Sequence, residues 1–254
     1  MSKYFELIQA DQQEIEGVAP VADRTAVLFP EPEIVSTPER RSQKLDQMAE
    51  AECLKLVQRI FLSQPANVGR AIVFAGVDRR TGCSRICVDT ARILAANTSR
   101  PICLVDANFR SSGLNRFFGV SQERGLADSV LEEGVVRTFT MQLEPSHLYL
   151  LPAGNLTSES PTLLNSERLA SRLRELRKEF DYVLIDAPAL NPYSDAVALG
   201  RNADGVVVVL QADSTRRETA LNGLERLREV NIEVLGAVLN QRTFPIPDFV
   251  YRRL

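Results

Sequence analysis

Short apolar runs alternate with longer amphipathic stretches along the sequence from Arg70 onward. The runs include "AIVFAG", "PICLVDA", "YVLIDAP" and "GVVVVLQA", and apolar residues between them recur at helical spacing. Runs that are apolar on both faces are typical of parallel strands covered by helices on each side of the sheet. The alternation therefore predicts an α/β fold with a doubly wound, mostly parallel sheet flanked by helices.

The first 45 residues have a different character. Their segment "FPEPEIVSTPERR" contains three prolines and several charges, and its small apolar surface cannot offset the ordering cost of folding. We therefore predict a disordered or partner-docking tail over residues 1–45 and one domain over residues 46–254. The domain is predicted to begin with a helix over residues 46–64, where apolar residues recur at helical spacing without a helix breaker.

Composition argues against several classes of protein. The net charge of −3 gives no general attraction to nucleic acid. No apolar stretch reaches the roughly 18 residues that a membrane-spanning helix needs, and the N-terminal residues are too polar for a secretory signal. The single histidine and the scattered cysteines do not form a zinc-binding pattern, so reduced thiols are expected. We expect a cytoplasmic protein with no nucleic-acid partner and no direct membrane span.

The loop "GVDRRTGCS" follows the first predicted strand, at the end of the sheet where ligands bind in folds of this class. Glycine lets backbone N–H groups approach a phosphate, and a hydroxyl at the start of the next helix can bind Mg²⁺. Gly82 and Ser84 therefore fit a phosphate-binding loop. The GxxxxGK[ST] pattern fails at Val77, in place of the first glycine, and at Cys83, in place of the lysine. The loop alone is a weak signal.

Three arginines crowd the same loop, namely Arg79, Arg80 and Arg85. A guanidinium group is a good phosphate partner. We therefore expect that one of them, foremost Arg80, partly replaces the missing lysine charge. The alternative is that all three are solvated loop arginines.

Aspartates close two other predicted strands, Asp106 in "CLVDANFR" and Asp186 in "YVLIDAP". A carboxylate at the end of a buried strand is costly unless it meets a charge or hydrogen-bond donors. Each aspartate alone fits a helix cap or a turn. Two carboxylates that converge on one crevice beside a phosphate loop instead predict a Mg²⁺–nucleotide site. The GxGxxG fingerprint of dinucleotide-binding dehydrogenases is absent from the sequence.

The loop, "CLVDANFRSSGLNRFFG", "DYVLIDAP" and "GAVLNQ" together resemble, in order and spacing, the MinD/ParA-like P-loop ATPases. They resemble more closely the bacterial tyrosine kinases (BY-kinases) of capsular and exopolysaccharide loci. The resemblance covers residues 48–254 and implies a P-loop NTPase-like domain that uses ATP and Mg²⁺. By position, it implies Walker A at residues 82–84, Walker A′ at residues 106–110, Walker B at Asp186 and an adenine contact at Asn240.

The resemblance and the loop chemistry give one set of predicted site residues. Those predicted to bind the nucleotide are Arg80, Thr81, Gly82, Cys83, Ser84, Arg85, Arg110 and Asn240. Asp106 and Asp186 are the predicted catalytic residues. The predicted magnesium ligands are Ser84, Asp106 and Asp186.

The predicted site departs from the BY-kinase pattern at three positions. Cys83 replaces the catalytic lysine, and a thiol at a helix N-terminus can ionise to a thiolate that repels phosphate. Asn108 replaces the second aspartate of "DxDxR", which removes one negative charge from the metal site. Ala189 stands where Walker B ends in proline.

Two further BY-kinase features are reduced. The Glu-x-x-Arg-x-x-Arg oligomerisation pattern becomes Glu52, Lys55 and Gln58. The C-terminal tyrosine cluster becomes the single candidate phosphorylation site Tyr251. The alternative for Tyr251 is that its aromatic segment packs on the domain.

These departures favour a regulatory or scaffolding component of capsular or exopolysaccharide synthesis and export, with weak or absent phosphoryl transfer. The second hypothesis is an active tyrosine autokinase that uses Mg-ATP. The third is a MinD/ParA-like positioning ATPase, which would need a signature lysine where Asp78 stands. The resemblance implies that the partner is a membrane polysaccharide co-polymerase that controls chain length. It also implies that this partner recruits the protein to the inner face of the membrane and that the protein can form homo-oligomers.

Overall fold

The computed structural model describes residues 43–63, 70–121, 124–158 and 160–241. Most of the predicted tail and the candidate phosphorylation site Tyr251 therefore lie outside the described residues. Within those ranges, no helix combines the length and the apolar character that crossing a membrane requires.

The described residues form seven strands. Their bounds are β1 Arg70–Gly76, β2 Ile102–Asp106, β3 Met141–Gln142, β4 Leu148–Leu151, β5 Tyr182–Ala187, β6 Gly205–Gln211 and β7 Val234–Asn240. They lie side by side in the order β3-β4-β2-β5-β1-β6-β7, and only the pairing of β3 with β4 is antiparallel. Each crossover between the parallel strands contains helical residues, so the prediction of a doubly wound, mostly parallel sheet is confirmed.

The helices connect these strands. Their bounds are α1 Gln43–Val57, α2 Cys83–Asn97, α3 Leu126–Leu131, α4 Ser160–Leu163, α5 Glu167–Glu179, α6 Asp195–Gly200 and α7 Arg217–Arg228. A π-helical turn, Gln58–Leu62, extends α1, so the helix predicted over residues 46–64 starts earlier and changes its winding near its end. Short 3₁₀ turns occur at Leu114–Phe117 and Val136–Phe139.

The sheet separates two apolar layers. Along β1, Ala71 and Val73 contribute to one layer while Ile72 and Phe74 contribute to the other, as the two-residue period of a strand requires. Helices α1 and α2 pack in the layer that contains Ile72, and α3, α5, α6 and α7 supply buried residues to the opposite layer. Both faces of the central strands are therefore buried, which explains why their sequences are continuously apolar.

Candidate functional site

The carboxyl ends of three central strands form the floor of the site. Strand β5 lies between β2 and β1, with Asp186 directly opposite Asp106 on one side and Phe74 on the other. The segment of residues 77–82, called the phosphate loop below, leaves β1 at this end and leads into α2. The topology therefore brings the two predicted aspartates and the predicted loop to the same place.

The phosphate loop has two residues in the left-handed backbone region, Arg80 (φ 63°) and Gly82 (φ 78°). The side-chain amide of Asn240 donates a 2.8 Å hydrogen bond to the carbonyl of Thr81, which ties the loop to the end of β7. A Cβ atom at Gly82 would lie 2.4 Å from the Asn240 Nδ2 atom, too close for any larger residue without displacement. Gly82 is therefore required both for the backbone angle and for the contact with Asn240.

The loop also presents backbone donors. Among the described residues, none accepts a hydrogen bond from the N–H groups of residues 82–84, whereas the N–H of Ile86 bonds the Gly82 carbonyl inside α2. Helix α2 is 15 residues long, so its N-terminal end adds a partial positive charge at the same point. Free N–H groups at a helix start suit a phosphate anion.

Ser84 and Asp186 are directly bonded at the floor of the site. The Ser84 hydroxyl donates to Asp186 Oδ2 over 2.6 Å, while the buried Oδ1 atom has no hydrogen-bond partner among the described residues. Burial first, and then the nearby Asp106 carboxylate, raise the pKa of Asp186 to about 8, although the hydrogen bonds of Ser84 and Cys83 act to lower it. At neutral pH and without a cation, the Asp186 carboxyl is therefore mainly protonated.

Asp106 is held by the backbone of the loop that follows it. The N–H groups of Gly113 and Leu114 donate to its Oδ2 atom over 2.9 and 3.0 Å, and that of Asn108 to its Oδ1 atom over 3.2 Å. Burial raises the pKa of Asp106 in spite of these bonds. The Asn108 side-chain oxygen accepts from the N–H of Ser111, so Asn108 stabilises this turn.

Cys83, at the position of the Walker lysine, is half-buried beside Asp186. Burial, and then the Asp186 carboxylate, raise the pKa of this thiol well above its usual value. The thiolate that a helix N-terminus could have produced is therefore disfavoured, which corrects the expectation from the sequence. Cys83 supplies neither a positive nor a negative charge to the loop.

The arginines of the site have different surroundings. Arg85 forms an ion pair of 2.7 Å with Asp89 one turn along α2, and Arg80 is exposed. Arg110 donates to the buried carboxylate of Asp195 over 2.9 Å, and this bond raises the pKa of the guanidinium group. A nucleotide contact by Arg80, Arg85 or Arg110 stays a prediction.

A segment after β5 supports the phosphate loop and was not predicted from the sequence. The N–H groups of Leu190 and Asn191 donate to the carbonyls of Gly76 and Val77 over 2.9 and 3.1 Å. Arg226 on α7 donates to the carbonyls of both Leu190 and Asn191. The turn after β5 lies more than one hundred residues from the phosphate loop in the chain, and Arg226 lies 35 residues after Asn191. No local sequence pattern could therefore have revealed these contacts.

A cavity of about 300 Å³ lies at the carboxyl ends of β6 and β7, beside the start of α7. Its lining residues are Leu210, Gln211, Ala212, Asp213, Thr215, Arg217, Ala220 and Leu239. Leu239 of this lining directly precedes Asn240, the residue through which β7 holds the phosphate loop.

The floor of the site fits Mg²⁺ together with a phosphate better than it fits a metal alone. No group of three or more His, Cys, Asp or Glu side chains able to hold a metal ion occurs among the residues that the structure describes. Mg²⁺ commonly binds through one or two carboxylates, a hydroxyl, water and phosphate oxygens. Ser84, Asp106 and the partnerless Oδ1 atom of Asp186 offer such a donor set.

The parallel sheet, the phosphate loop and the paired aspartates define a P-loop NTPase-like fold. The model of the family described as cellulose biosynthesis protein BcsQ matches residues 70–223. The match covers more than half of the chain, and the chain belongs to this family.

Curated relatives are similar over the same domain. The succinoglycan biosynthesis transport protein ExoP of Rhizobium meliloti is 31% identical over 175 residues, which are 68% of this chain and 22% of ExoP. The tyrosine-protein kinase YwqD of Bacillus subtilis is 26% identical over 148 residues, which are 58% of this chain and 62% of YwqD. The chain therefore spans a minor part of ExoP and less than two thirds of YwqD.

A solved structure shares the fold. The VpsO kinase domain superposes with a TM-score of 0.69 at 22% identity, over 79% of this chain and 98% of that domain. At this identity the likeness concerns the fold. Together with the relatives, it confirms the resemblance to bacterial tyrosine kinases that the motifs indicated.

Proposed function

We propose that this protein is a regulatory or scaffolding component of exopolysaccharide or capsule synthesis and export, with weak nucleotide binding and weak or absent phosphoryl transfer. The relative ExoP, a succinoglycan biosynthesis transport protein, supports the pathway, and the relative YwqD, a tyrosine-protein kinase, supports the kinase-like domain. The observation that carries the reduced activity is that Cys83, which has no positive charge, lies beside Asp186 at the lysine position.

The binding role follows from groups that remain in place. The free N–H groups of residues 82–84 would hold phosphate oxygens, and Ser84, Asp106 and Asp186 would hold Mg²⁺. Mg²⁺ held by Ser84, Asp106 and Asp186 would supply positive charge beside the phosphate oxygens and would favour the ionised form of Asp186. Asn240 fixes the loop through Thr81, and the adjoining cavity of about 300 Å³ is the space for the base.

The loss of activity follows from the group that is absent. A lysine in this position would give a charged hydrogen bond to the phosphates, worth about 1.5–3 kcal/mol in binding. Removal of one preorganised transition-state donor lowers a rate by about 10²–10³. Cys83 contributes neither effect, and the exposed Arg80 is the proposed partial substitute.

The test is a titration of the full chain with a fluorescent ATP analogue and Mg²⁺, together with Cys83→Lys, Cys83→Ala and Ser84→Ala. We expect saturable millimolar binding by the parent protein and by Cys83→Ala. Binding should be about tenfold or more tighter in Cys83→Lys. In Ser84→Ala, the binding and its dependence on Mg²⁺ should both be lost. Equal behaviour of Cys83→Lys and Cys83→Ala, or no saturation of the parent at millimolar nucleotide, contradicts the proposal.

A second candidate function is an active tyrosine autokinase, which the tyrosine-protein kinase YwqD favours. Asp106 and Asp186 would be its catalytic residues and Tyr251 its candidate acceptor. Phosphotyrosine formed on the purified chain with Mg-ATP, and abolished by Asp186→Asn, would support this function over the first. A product without phosphotyrosine supports the scaffold.

The proposed partner is a membrane co-polymerase that controls polysaccharide chain length, which would recruit this protein to the inner face of the membrane. Glu52 and Lys55 pair with each other over 2.7 Å on the exposed side of α1, so the reduced oligomerisation pattern offers little free charge to a second copy. Fractionation of cells with and without the co-polymerase tests the recruitment. Membrane association that persists without the co-polymerase contradicts it.

A further inference from the structure

Tyr193 lies between two arginine side chains that come from two different loops. It is half-buried in the turn between β5 and α6, and its neighbours Pro192 and Ser194 are exposed. The guanidinium carbon of Arg79, from the phosphate loop, lies 5.2 Å from the centre of the Tyr193 ring. That of Arg110, from the loop after β2, lies 4.6 Å from the same centre. The Tyr193 side chain is therefore partly exposed to solvent, and it contacts two guanidinium groups.

The charges of this cluster do not balance. Arg110 forms an ion pair with the buried carboxylate of Asp195. Arg79 donates a hydrogen bond to the Tyr193 hydroxyl oxygen, and among the described residues no carboxylate lies within ion-pair distance of its guanidinium group. Both guanidinium groups thus contact the Tyr193 side chain, and only that of Arg110 forms an ion pair among the described residues. An anion added at the hydroxyl would meet the guanidinium group of Arg79, which already donates to that oxygen.

We propose that Tyr193 is a site of tyrosine phosphorylation by a protein-tyrosine kinase acting in trans, with ATP as the phosphoryl donor. The Tyr193 oxygen forms the new P–O bond, the bond from the γ-phosphorus to the β-bridging oxygen breaks, and ADP leaves. The phenol proton passes to the base of that kinase. The reaction needs no nucleotide at this chain's own site, so the proposal stands apart from the proposed function.

The arginines give the modification a structural effect. A phosphotyrosine carries about −1.5 to −2 charges near neutral pH and has three strong acceptor oxygens. Arg79 already reaches the oxygen that would carry the phosphate, and Arg110 lies against the same ring. The phosphate would therefore fasten the phosphate loop, the loop after β2 and the turn before α6 to one another through charge-assisted hydrogen bonds.

The first test uses the full chain with Asp186→Asn, so that phosphate comes only from an added, active bacterial tyrosine-kinase domain with Mg-ATP. Tyr149 is the matched control, because Arg137 also lies 4.9 Å from its ring and donates to its hydroxyl, but Tyr149 is fixed within β4. We expect mass spectrometry to locate phosphate on Tyr193 and not on Tyr149, and Tyr193→Phe to remove it. Phosphate only on other tyrosines would overturn the proposal.

The second test measures the arginine contacts. Phosphotyrosine is incorporated site-specifically at position 193 or at position 149, and the phosphorus NMR signal is followed against pH. The second phosphate pKa is ordinarily about 6. We expect it to lie about one unit lower at position 193 and to return toward about 6 in Arg79→Gln. An unshifted pKa at 193, or one that Arg79→Gln does not change, contradicts the proposed contacts even if the chain is phosphorylated there.

Discussion

Ser84 and Asp186 are joined by a 2.6 Å hydrogen bond although 102 residues separate them in the chain. The bond links the first turn of α2 to the carboxyl end of β5, and it occupies only one of the two carboxyl oxygens of Asp186. The other oxygen is buried without a partner among the described residues. One carboxyl oxygen of Asp186 is therefore bonded to the start of α2, and the other is unsatisfied within the part of the chain that the structure describes.

The stability of the free protein should fall as pH rises because of Asp186. Its pKa is about 8 in the folded protein and about 4 in an unfolded chain, so the folded state holds the extra proton between these values. The free energy of unfolding therefore decreases from about pH 4 to about pH 8. Asp186→Asn, whose amide oxygen can still accept from Ser84, should remove this part of the slope and stabilise the protein at pH 8.

Urea unfolding at pH 5.5 and pH 8 measures this effect in the parent protein and in Asp186→Asn, with a thermal melt as a second readout. Asp106 also has a raised pKa and contributes in the same direction, so the difference between the two proteins isolates Asp186. Identical pH slopes would show that Asp186 is ionised in the folded state.

Cys83 should react slowly with alkylating agents although its side chain is only half-buried. Its pKa is raised well above the ordinary value by burial and by Asp186, and the thiolate is the reactive form. We expect its rate with iodoacetamide at pH 7.5 to be about tenfold or more below that of a free cysteine, since one pKa unit changes the thiolate fraction about tenfold. Asp186→Asn should increase the rate. Mass spectrometry identifies the modified residue, and fast labelling of Cys83 would contradict the neutral thiol.

Gly125→Ala should strongly destabilise the protein. A Cβ atom at Gly125 would lie 2.0 Å from the Pro152 carbonyl oxygen and 2.6 Å from the Gly154 nitrogen, and both are backbone atoms that cannot move aside. We expect a loss of about 2 kcal/mol or more, in the range for overpacked sites. Gly236→Ala is the control, because an added Cβ atom meets nothing within 4 Å there. Similar urea midpoints for both variants would contradict the close approach.

Arg172→Ala should cost about 2 kcal/mol in unfolding free energy, because a charged hydrogen bond is worth about 1.5–3 kcal/mol. The Arg172 guanidinium donates to the carbonyls of Ser129, Gly134 and Glu132 over 2.6, 2.7 and 2.9 Å, and so holds the end of α3 and the turn after it. Arg168→Ala is the matched control on α5, since Arg168 makes one 3.4 Å contact to the Leu131 carbonyl. Equal losses in chemical denaturation would show that the carbonyl contacts do not matter.

The sequence predicted the layers of the fold well because buried parallel strands are continuously apolar. The amphipathic run "CSRICVDTARILAAN" between two of these strands forms α2, Cys83–Asn97. Strand β3, Met141–Gln142, and the single turn of α4, Ser160–Leu163, were not predicted, because two or four residues are too few to show a period. The run "LNRFFG" has helical spacing but forms a 3₁₀ turn, Leu114–Phe117. The N–H of Leu114, at the start of this turn, donates a hydrogen bond to Asp106.

The meeting of Ser84, Asp106 and Asp186 could be predicted because the carboxyl ends of parallel strands face the same way. The ion-pair and hydrogen-bond partners of the arginines were harder to predict. The pairing of Arg85 with Asp89 follows from their i, i+4 spacing on one helix. The partners of Arg79 and Arg110 lie 114 and 85 residues away, where only the folded chain can bring them together.

Arg226 connects the phosphate loop to helix α7 at the surface of the domain. Its side chain holds the carbonyls of Leu190 and Asn191, and the N–H groups of the same two residues hold the end of β1 and the start of the loop. Leu221, on the same helix as Arg226, is exposed to solvent. A displacement of α7 would therefore be passed through Arg226 and the turn after β5 to the end of β1 and the start of the phosphate loop.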